Sequence, residues 1–207
     1  IMRIPAIMAG MGMAALVLFS AASTLEARDD HLRALNALTL YAPEAAGDRE
    51  YLGLDDEKEK ISLGQIDAEI LIVEIFSMYC PHCQKHAPDA NKLFRVLDSR
   101  KDIRNKVKMI GIGVGNSRYE VGIFKDKYSS PFPMFDDRDS VALSTISGIY
   151  TPHYFALRIR EGSIHEIVYS KSGAFPDAEA FLDMIAILGV VGVMLLHMDE
   201  PDWFDDD

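Results

Sequence analysis

The sequence predicts an α/β protein with a central mixed β-sheet and helices on both of its faces. Three observations predict this fold class: two continuous apolar runs of strand length, a helical segment after each run, and a later pair of alternating segments. With 207 residues, 49% of them apolar, the chain can bury one substantial core. A single domain is therefore expected.

The order of elements follows from these patterns. Residues 70–76 form the first buried strand, 81–99 a helix, 107–114 the second buried strand and 117–128 another helix. A short strand near 133–135, a helix near 140–147, a hairpin of 153–159 with 163–169 and a last helix opened by Pro176 complete the chain. Within that helix, the uncharged run 184–196 is expected to pack on the core.

The two ends of the chain differ in composition from the rest. Arg3, the apolar stretch 4–20 and the small residues after it predict a signal peptide over residues 1–27, or an uncleaved N-terminal anchor. Residues 28–60 are expected to be a polar lead-in, 61–198 the folded domain and 199–207 an acidic tail. The expected location is outside the cytoplasm, in the periplasm, with anchoring to the inner membrane as the alternative.

The charge balance argues against nucleic acid as a partner. The formal net charge is −11 and no run of Lys or Arg forms a basic stripe. Proteins that bind nucleic acid neutralise phosphates with such stripes. We therefore expect no nucleic-acid partner.

The main candidate catalytic residues are Cys80 and Cys83, the only cysteines of the chain. A gap of two residues closes almost no loop, so stabilisation is not the evident purpose of a disulfide here. Cys80 follows a predicted strand and Pro81 suits the first helical position, where free N–H groups and the helix dipole lower a thiol pKa. We expect Cys80 to be the nucleophile and Cys83 the resolving thiol of a redox-active disulfide, with no other cofactor.

Glu74 is the third candidate catalytic residue, and Pro81, His82 and Tyr79 are the candidate modulators of the pair. Glu74 is a carboxylate inside an apolar strand, and burial would raise its pKa and make it an acid–base partner of Cys83. An exposed strand position is the alternative. A partly charged His82 would stabilise the Cys80 thiolate, and a solvated His82 would have little effect.

Metal binding is the competing chemistry. The spacing of Cys80, Cys83 and His86 is compact enough for zinc or copper, as in a metal-delivery module. A closed site would need a fourth ligand from elsewhere in the chain, for which the candidates are His82, His153 and Asp89. We expect redox chemistry and no resident metal.

Residues 73–83 resemble the active-site segment of the thioredoxin superfamily, with an acidic residue six positions before the first cysteine and the aromatic Tyr79 immediately before it. Pro88 matches the proline that kinks the active-site helix in that superfamily. Further segments, in matching order, are similar to the TlpA/ResA and redoxin branch: 124–128, 131–133, Asp136, Ala142 and 149–155. The resemblance covers roughly residues 61–188.

This resemblance implies a thioredoxin-like fold and an exported thiol–disulfide oxidoreductase. It implies a cis peptide between Thr151 and Pro152 that faces the cysteines and presents backbone groups to an extended substrate. The implied partners are exported proteins that contain cysteine and an electron donor or acceptor in the membrane or periplasm.

Two questions stay open at this point. The dipeptide Pro81-His82 is that of DsbA-type oxidants whereas the scaffold is that of reductases, so the direction of electron flow is undecided. The redoxin branch also resembles peroxiredoxins, but residues 77–80 lack their Pro-x-x-x-Thr-x-x-Cys form, which makes peroxidase activity the weaker alternative.

Overall fold

The computed structural model describes residues 28–55, 57–146, 148–175 and 177–196, without the side chains of 143 and 190–196. The predicted signal segment, the acidic tail and Pro176 lie outside these residues. In the described ranges, no helix is both long enough and apolar enough to cross a membrane.

A five-stranded mixed sheet forms the centre of the molecule, with the strand order β5-β4-β3-β6-β7. The central strand β3 runs parallel to β4, which is parallel to β5, and antiparallel to β6, which forms a hairpin with β7. The strands are β3 (Ile70–Phe76), β4 (Val107–Val114), β5 (Met134–Asp137), β6 (His153–Arg160) and β7 (Ser163–Ser172). This arrangement confirms the predicted α/β fold with a central mixed sheet.

Helices cover both faces of this sheet. Side chains of α3 (Pro81–Ser99) and α6 (Ala178–Leu196) pack on the face to which Ile70 and Ile72 point, and α4 (Arg118–Tyr128) adjoins them. The opposite face, to which alternate side chains of β3 point, is covered by a helix of residues 28–37 (α1), by α2 (Ala46–Leu52) and by α5 (Val141–Thr145). Because strand side chains alternate, Glu74 belongs to the α3 face.

The structure differs from the sequence prediction at residues 28–60, which are not a loose polar lead-in. They form α1, α2 and the strand β1 (Thr39–Tyr41), which pairs with β2 (Lys60–Ser62) in a separate two-stranded sheet. Leu35, Leu38 and Leu40 are almost fully buried in the same cluster as β3. These leucines are few and lie between the charged stretches 28–33 and 55–60, which explains why composition over the whole segment missed them.

The hairpin of β6 and β7 has its turn at Glu161 and Gly162, between the two segments predicted to form it. Glu161 and Gly162 both have positive φ, 49° and 76°, as a two-residue type I′ turn requires. A Cβ on Gly64 would collide with the Gly162 carbonyl, so Gly64 allows the turn to lie against the 3₁₀ helix Leu63–Gln65.

The last helix begins at Ala178, where Asp177 accepts hydrogen bonds from the backbone N–H groups of the next residues. In the predicted core run 184–196, Ile185 is fully buried, whereas Ile187 is 61% exposed. In the part of the run whose side chains are described, one side of the helix packs on the core and the other is exposed.

Candidate active site

Cys80 and Cys83 lie where the central strand β3 passes into α3. β3 ends at Phe76, and Cys80 is the N-cap of α3 with Pro81 at the first helical position. Cys80 is half-buried and Cys83, one turn later, is fully buried. Both are free thiols. The expected placement of the pair at the start of a helix is what the structure shows.

The loop before Cys80 is held by side chains that the sequence did not single out. The Met78 N–H donates to Asn116 Oδ1 at 2.8 Å, and Gln84 Nε2 donates to the Met78 carbonyl at 2.7 Å. Asn116 is fully buried and follows the end of β4. Because β3 and β4 are parallel, both ends meet at one edge of the sheet. An Asn two residues after the end of a buried parallel strand was the available signal.

A distant segment completes the site. The peptide bond between Thr151 and Pro152 is cis, as the family resemblance implied, and the Thr151 carbonyl oxygen lies 3.4 Å from Cys80 Sγ. The Tyr150 N–H donates to Ser172 Oγ at 3.1 Å, and this hydroxyl also contacts His153 Nδ1 at 2.8 Å. These contacts fasten the proline loop to the end of β7.

The surroundings of Cys80 favour its thiolate. Partial burial by itself raises the pKa of the thiol, but hydrogen bonds from the Thr151 hydroxyl and from the backbone N–H groups of Cys83 and His82 outweigh it, so the pKa lies below its ordinary value. The Thr151 carbonyl opposes these donors, since it favours the protonated form. Cys80 is thus the more nucleophilic thiol of the pair.

The pKa values of Cys83 and Glu74 shift in the opposite direction, to above their ordinary values. Burial raises the pKa of Cys83 to about 12, and the negative charges of Cys80 and Glu74 add to the effect. Burial also raises the pKa of Glu74 to about 7, and the neighbouring Tyr154 hydroxyl acts in the opposite direction. Glu74 is 2% exposed, so it is not at an exposed strand position. A buried thiol therefore lies near a carboxyl group that titrates around neutrality.

The remaining predicted site residues lie at the rim. Pro81 and His82 are exposed, and Tyr79 is 63% exposed and donates from its hydroxyl to Glu120. Tyr154, for which the sequence suggested no role, is the buried residue that pairs with Glu74 across β3 and β6.

The residues of the alternative metal site do not form a cluster. His86 is buried with Nδ1 3.3 Å from Asp89, and both ring nitrogens of His153 contact serine hydroxyls. Among the described residues, no group of three or more His, Cys, Asp and Glu side chains is arranged to hold a metal ion.

Sequence comparison assigns the family. A model of the AhpC/TSA family matches residues 42–159, more than half of the chain. The chain belongs to the AhpC/TSA family. The match begins inside the segment expected to be a lead-in and ends at the last residue but one of β6. It therefore includes the cysteines, Glu74 and the proline loop. No curated protein is detectably similar to the chain over its sequence.

Solved structures share the fold of this AhpC/TSA protein at low sequence identity. A secreted disulfide oxidoreductase of Mycobacterium tuberculosis, homologous to DsbE of E. coli, has a TM-score of 0.51 and 14% identity, over 75% of this chain and 98% of its own. DsbF of the same organism, in mixed oxidised and reduced forms, has a TM-score of 0.52 and 13% identity, over 75% and 97%. These likenesses establish the thioredoxin-like fold.

Proposed function

We propose that this AhpC/TSA protein is a thiol–disulfide oxidoreductase that exchanges its Cys80–Cys83 pair with cysteines of client proteins. The observation that carries the proposal is the asymmetry of two thiols one helical turn apart. Cys80 is accessible with a lowered pKa, and Cys83 is buried with a raised one. An exchange enzyme needs this division between an attacking and a resolving thiol.

The first step follows from the position of Cys80. In the reducing direction, the Cys80 thiolate attacks one sulfur of a client disulfide, a Cys80–client bond forms, and the second client sulfur leaves as a thiolate. The Thr151 carbonyl, 3.4 Å from Cys80 Sγ, lies where the backbone of an extended client can pair with it. Thr151 and Pro152 thus serve as substrate-binding residues.

The second step needs a proton acceptor. Cys83 attacks the Cys80 sulfur, the Cys80–Cys83 bond forms and the client sulfur leaves with the electron pair. The Cys83 proton passes to the Glu74 carboxylate. Formation of the mixed disulfide has by then removed the Cys80 charge that helped to keep Cys83 protonated. The oxidising direction reverses both steps.

The surface around Cys80 suits a polypeptide. In the described part of the chain, the three most exposed large hydrophobic side chains are Tyr119, Tyr150 and Tyr79, at 77%, 75% and 63%. Tyr79 precedes Cys80, Tyr150 precedes the proline loop, and Tyr119 is in the first turn of α4 at the same sheet edge. Tyrosine gives a large contact area at low entropic cost, which favours protein clients.

We further propose that the protein acts after export, with an electron partner in the same compartment. The predicted signal segment at residues 1–27 supports export, and the Mycobacterium tuberculosis protein of the same fold is a secreted one.

An exchange assay with the variants Cys80→Ser and Cys83→Ser tests the proposal. Reduction of disulfide-bonded insulin by dithiothreitol should be accelerated by the native protein and not by Cys80→Ser. Cys83→Ser should accumulate a mixed disulfide with insulin, visible by mass spectrometry and removed by reductant. Native protein without effect on insulin, or a Cys80→Ser variant with full activity, contradicts the proposal.

Two further measurements define the reaction. The reduction potential of the Cys80–Cys83 pair, measured against glutathione, decides between net oxidation and net reduction of clients. Peroxide consumption far faster than that of a free thiol, with slow insulin reduction, would favour a thiol peroxidase instead.

A further inference from the structure

Tyr154 is the buried polar side chain nearest in the sheet to the proposed acid–base residue. Glu74 of β3 and Tyr154 of β6 are directly opposite each other in the antiparallel ladder, and their side chains therefore point to the same face. On the other side of β3, the register partner of Glu74 is Gly111, which has no side chain. β6 thus supplies the cross-strand neighbour of this carboxylate.

The ring of Tyr154 is fixed by three aromatic neighbours. His86 of α3 lies edge-to-face at 5.7 Å between ring centroids, Phe175 at 5.2 Å and Phe181 at 6.2 Å. Tyr154 is 1% exposed. Such contacts leave the ring little freedom, so the position of the hydroxyl is set by the fold rather than by solvent.

The hydroxyl of Tyr154 has one evident use. Within the described residues it makes no hydrogen bond of ordinary geometry, and Glu74 is the acceptor close enough to act on it. A buried hydroxyl without a partner is costly, which favours the contact with the carboxylate. The other ionisable groups that face this pair are Cys83, His86 and Asp89, all from α3.

We propose that Tyr154 is a positioning residue whose hydroxyl donates to the Glu74 carboxylate and keeps it ionised and oriented to receive the Cys83 proton. This inference rests on the proposed exchange function and adds a second group to its proton-transfer step. The phenol stabilises the charged form of Glu74, so it opposes the effect of burial. Without it, the carboxyl group would hold its proton to higher pH and the resolving step would slow near neutrality.

Stopped-flow reaction of the reduced protein with dithiobis(nitrobenzoate) separates the two steps. Release of the first thionitrobenzoate reports attack by Cys80, and release of the second reports resolution by Cys83. In Tyr154→Phe, the first phase should be unchanged. The pH midpoint of the second phase should rise by about one unit, with a rate about fivefold lower at pH 7 and equal above about pH 9.

Tyr169→Phe is the matched control, because Tyr169 packs edge-to-face on Phe181, as Tyr154 does, at 5.1 Å. It should leave both phases unchanged. In a Glu74→Gln background, Tyr154→Phe should have no further effect on the second phase. An unshifted midpoint in Tyr154→Phe, or an equal shift in Tyr169→Phe, overturns the inference.

The wild-type protein allows the same test without substitution. The Tyr154 hydroxyl proton should exchange slowly enough to be observed by nuclear magnetic resonance and should shift as Glu74 titrates. A Tyr154 hydroxyl resonance that is insensitive to this titration overturns the inference. Absence of any first phase would contradict the proposed exchange function instead, so the two failures are distinguishable.

Discussion

Burial gives neighbouring side chains of this site different chemistry. Cys80 is half-buried and close to hydrogen-bond donors, whereas Cys83 and Glu74 are enclosed between β3 and α3. The same loss of hydration raises the pKa of the thiol and of the carboxyl group, since both carry negative charge when ionised. The site thus keeps a proton acceptor and a proton donor side by side near neutral pH.

Glu74 should reduce the stability of the folded protein at neutral and higher pH. Its pKa rises from 4.5 to about 7 on folding, so its favourable contribution is complete below pH 4.5 and is lost as the pH rises through 7. The free energy of unfolding changes between pH 4 and pH 8 in both proteins. In Glu74→Gln, this change should be more favourable to the folded state than in wild type by about 3 kcal/mol. Urea denaturation at both pH values measures this difference.

The exposed Glu50 offers the control for that experiment. Glu50→Gln should leave the difference between the two pH values close to that of wild type. A Glu74→Gln variant with the wild-type pH dependence would contradict the assignment of Glu74 as a buried group with a raised pKa. Slower turnover of insulin by this more stable variant is also expected.

At the scale of elements, the strand–helix unit of the active site could be predicted closely. The bounds predicted for β3, α3 and β4 agree with those observed, because β-branched apolar runs and a helix begun by proline are strong local signals. The contact of Thr151 with Cys80, 71 residues apart, followed only from the family resemblance. Local patterns do not encode which distant loop reaches a helix end.

The exposed side chains of Tyr79, Tyr119 and Tyr150 form a rim around Cys80, the tyrosine rim. We expect this rim to contribute more to the binding of protein clients than to the reaction with small disulfides. Tyr150→Ser removes a side chain that is 75% exposed beside the proline loop. We expect the KM for insulin to rise severalfold, while the rate with a small disulfide such as cystine changes little, since cystine is too small to span the rim. Steady-state kinetics with both substrates measures this split.

Ile187→Ser is the control for the rim, because Ile187 is 61% exposed in α6 and the nearby Gly189 lies against Ile70, at the other end of β3. Ile187→Ser should change neither the KM for insulin nor the rate with cystine. Equal effects of Tyr150→Ser on insulin and on cystine would show that the rim does not bind clients.

At the scale of the whole molecule, the segment before residue 61 shows what sequence patterning missed. The leucines of α1 and β1 occur singly, separated by Ala, Asn and Thr, so their shared burial depends on the folded sheet and not on a local run. Arg49 illustrates the same point, because its guanidinium donates to the carbonyls of Pro43, Asp55 and Lys58 and fixes the path of this segment. Residues 28–60 are therefore part of the folded domain, although their composition is polar.

Leu35→Ala tests whether this segment stabilises the domain. Leu35 is fully buried against the β3 cluster, so its truncation should lower the free energy of unfolding by about 2–5 kcal/mol in urea denaturation. Arg33→Ala, on the exposed side of the same helix, should change it by less than about 1 kcal/mol. A neutral Leu35→Ala would indicate that the domain begins later in the chain.

Alkylation of the reduced protein tests the asymmetry of the two thiols most directly. Iodoacetamide should modify Cys80 with a pH midpoint below that of an ordinary cysteine, and Cys83 at least about a hundredfold more slowly at pH 7, because only thiolates react and Cys83 is buried with a pKa of about 12. Peptide mass spectrometry resolves the two sites. Equal rates at the two cysteines, or faster modification of Cys83, would contradict the division into an attacking and a resolving thiol.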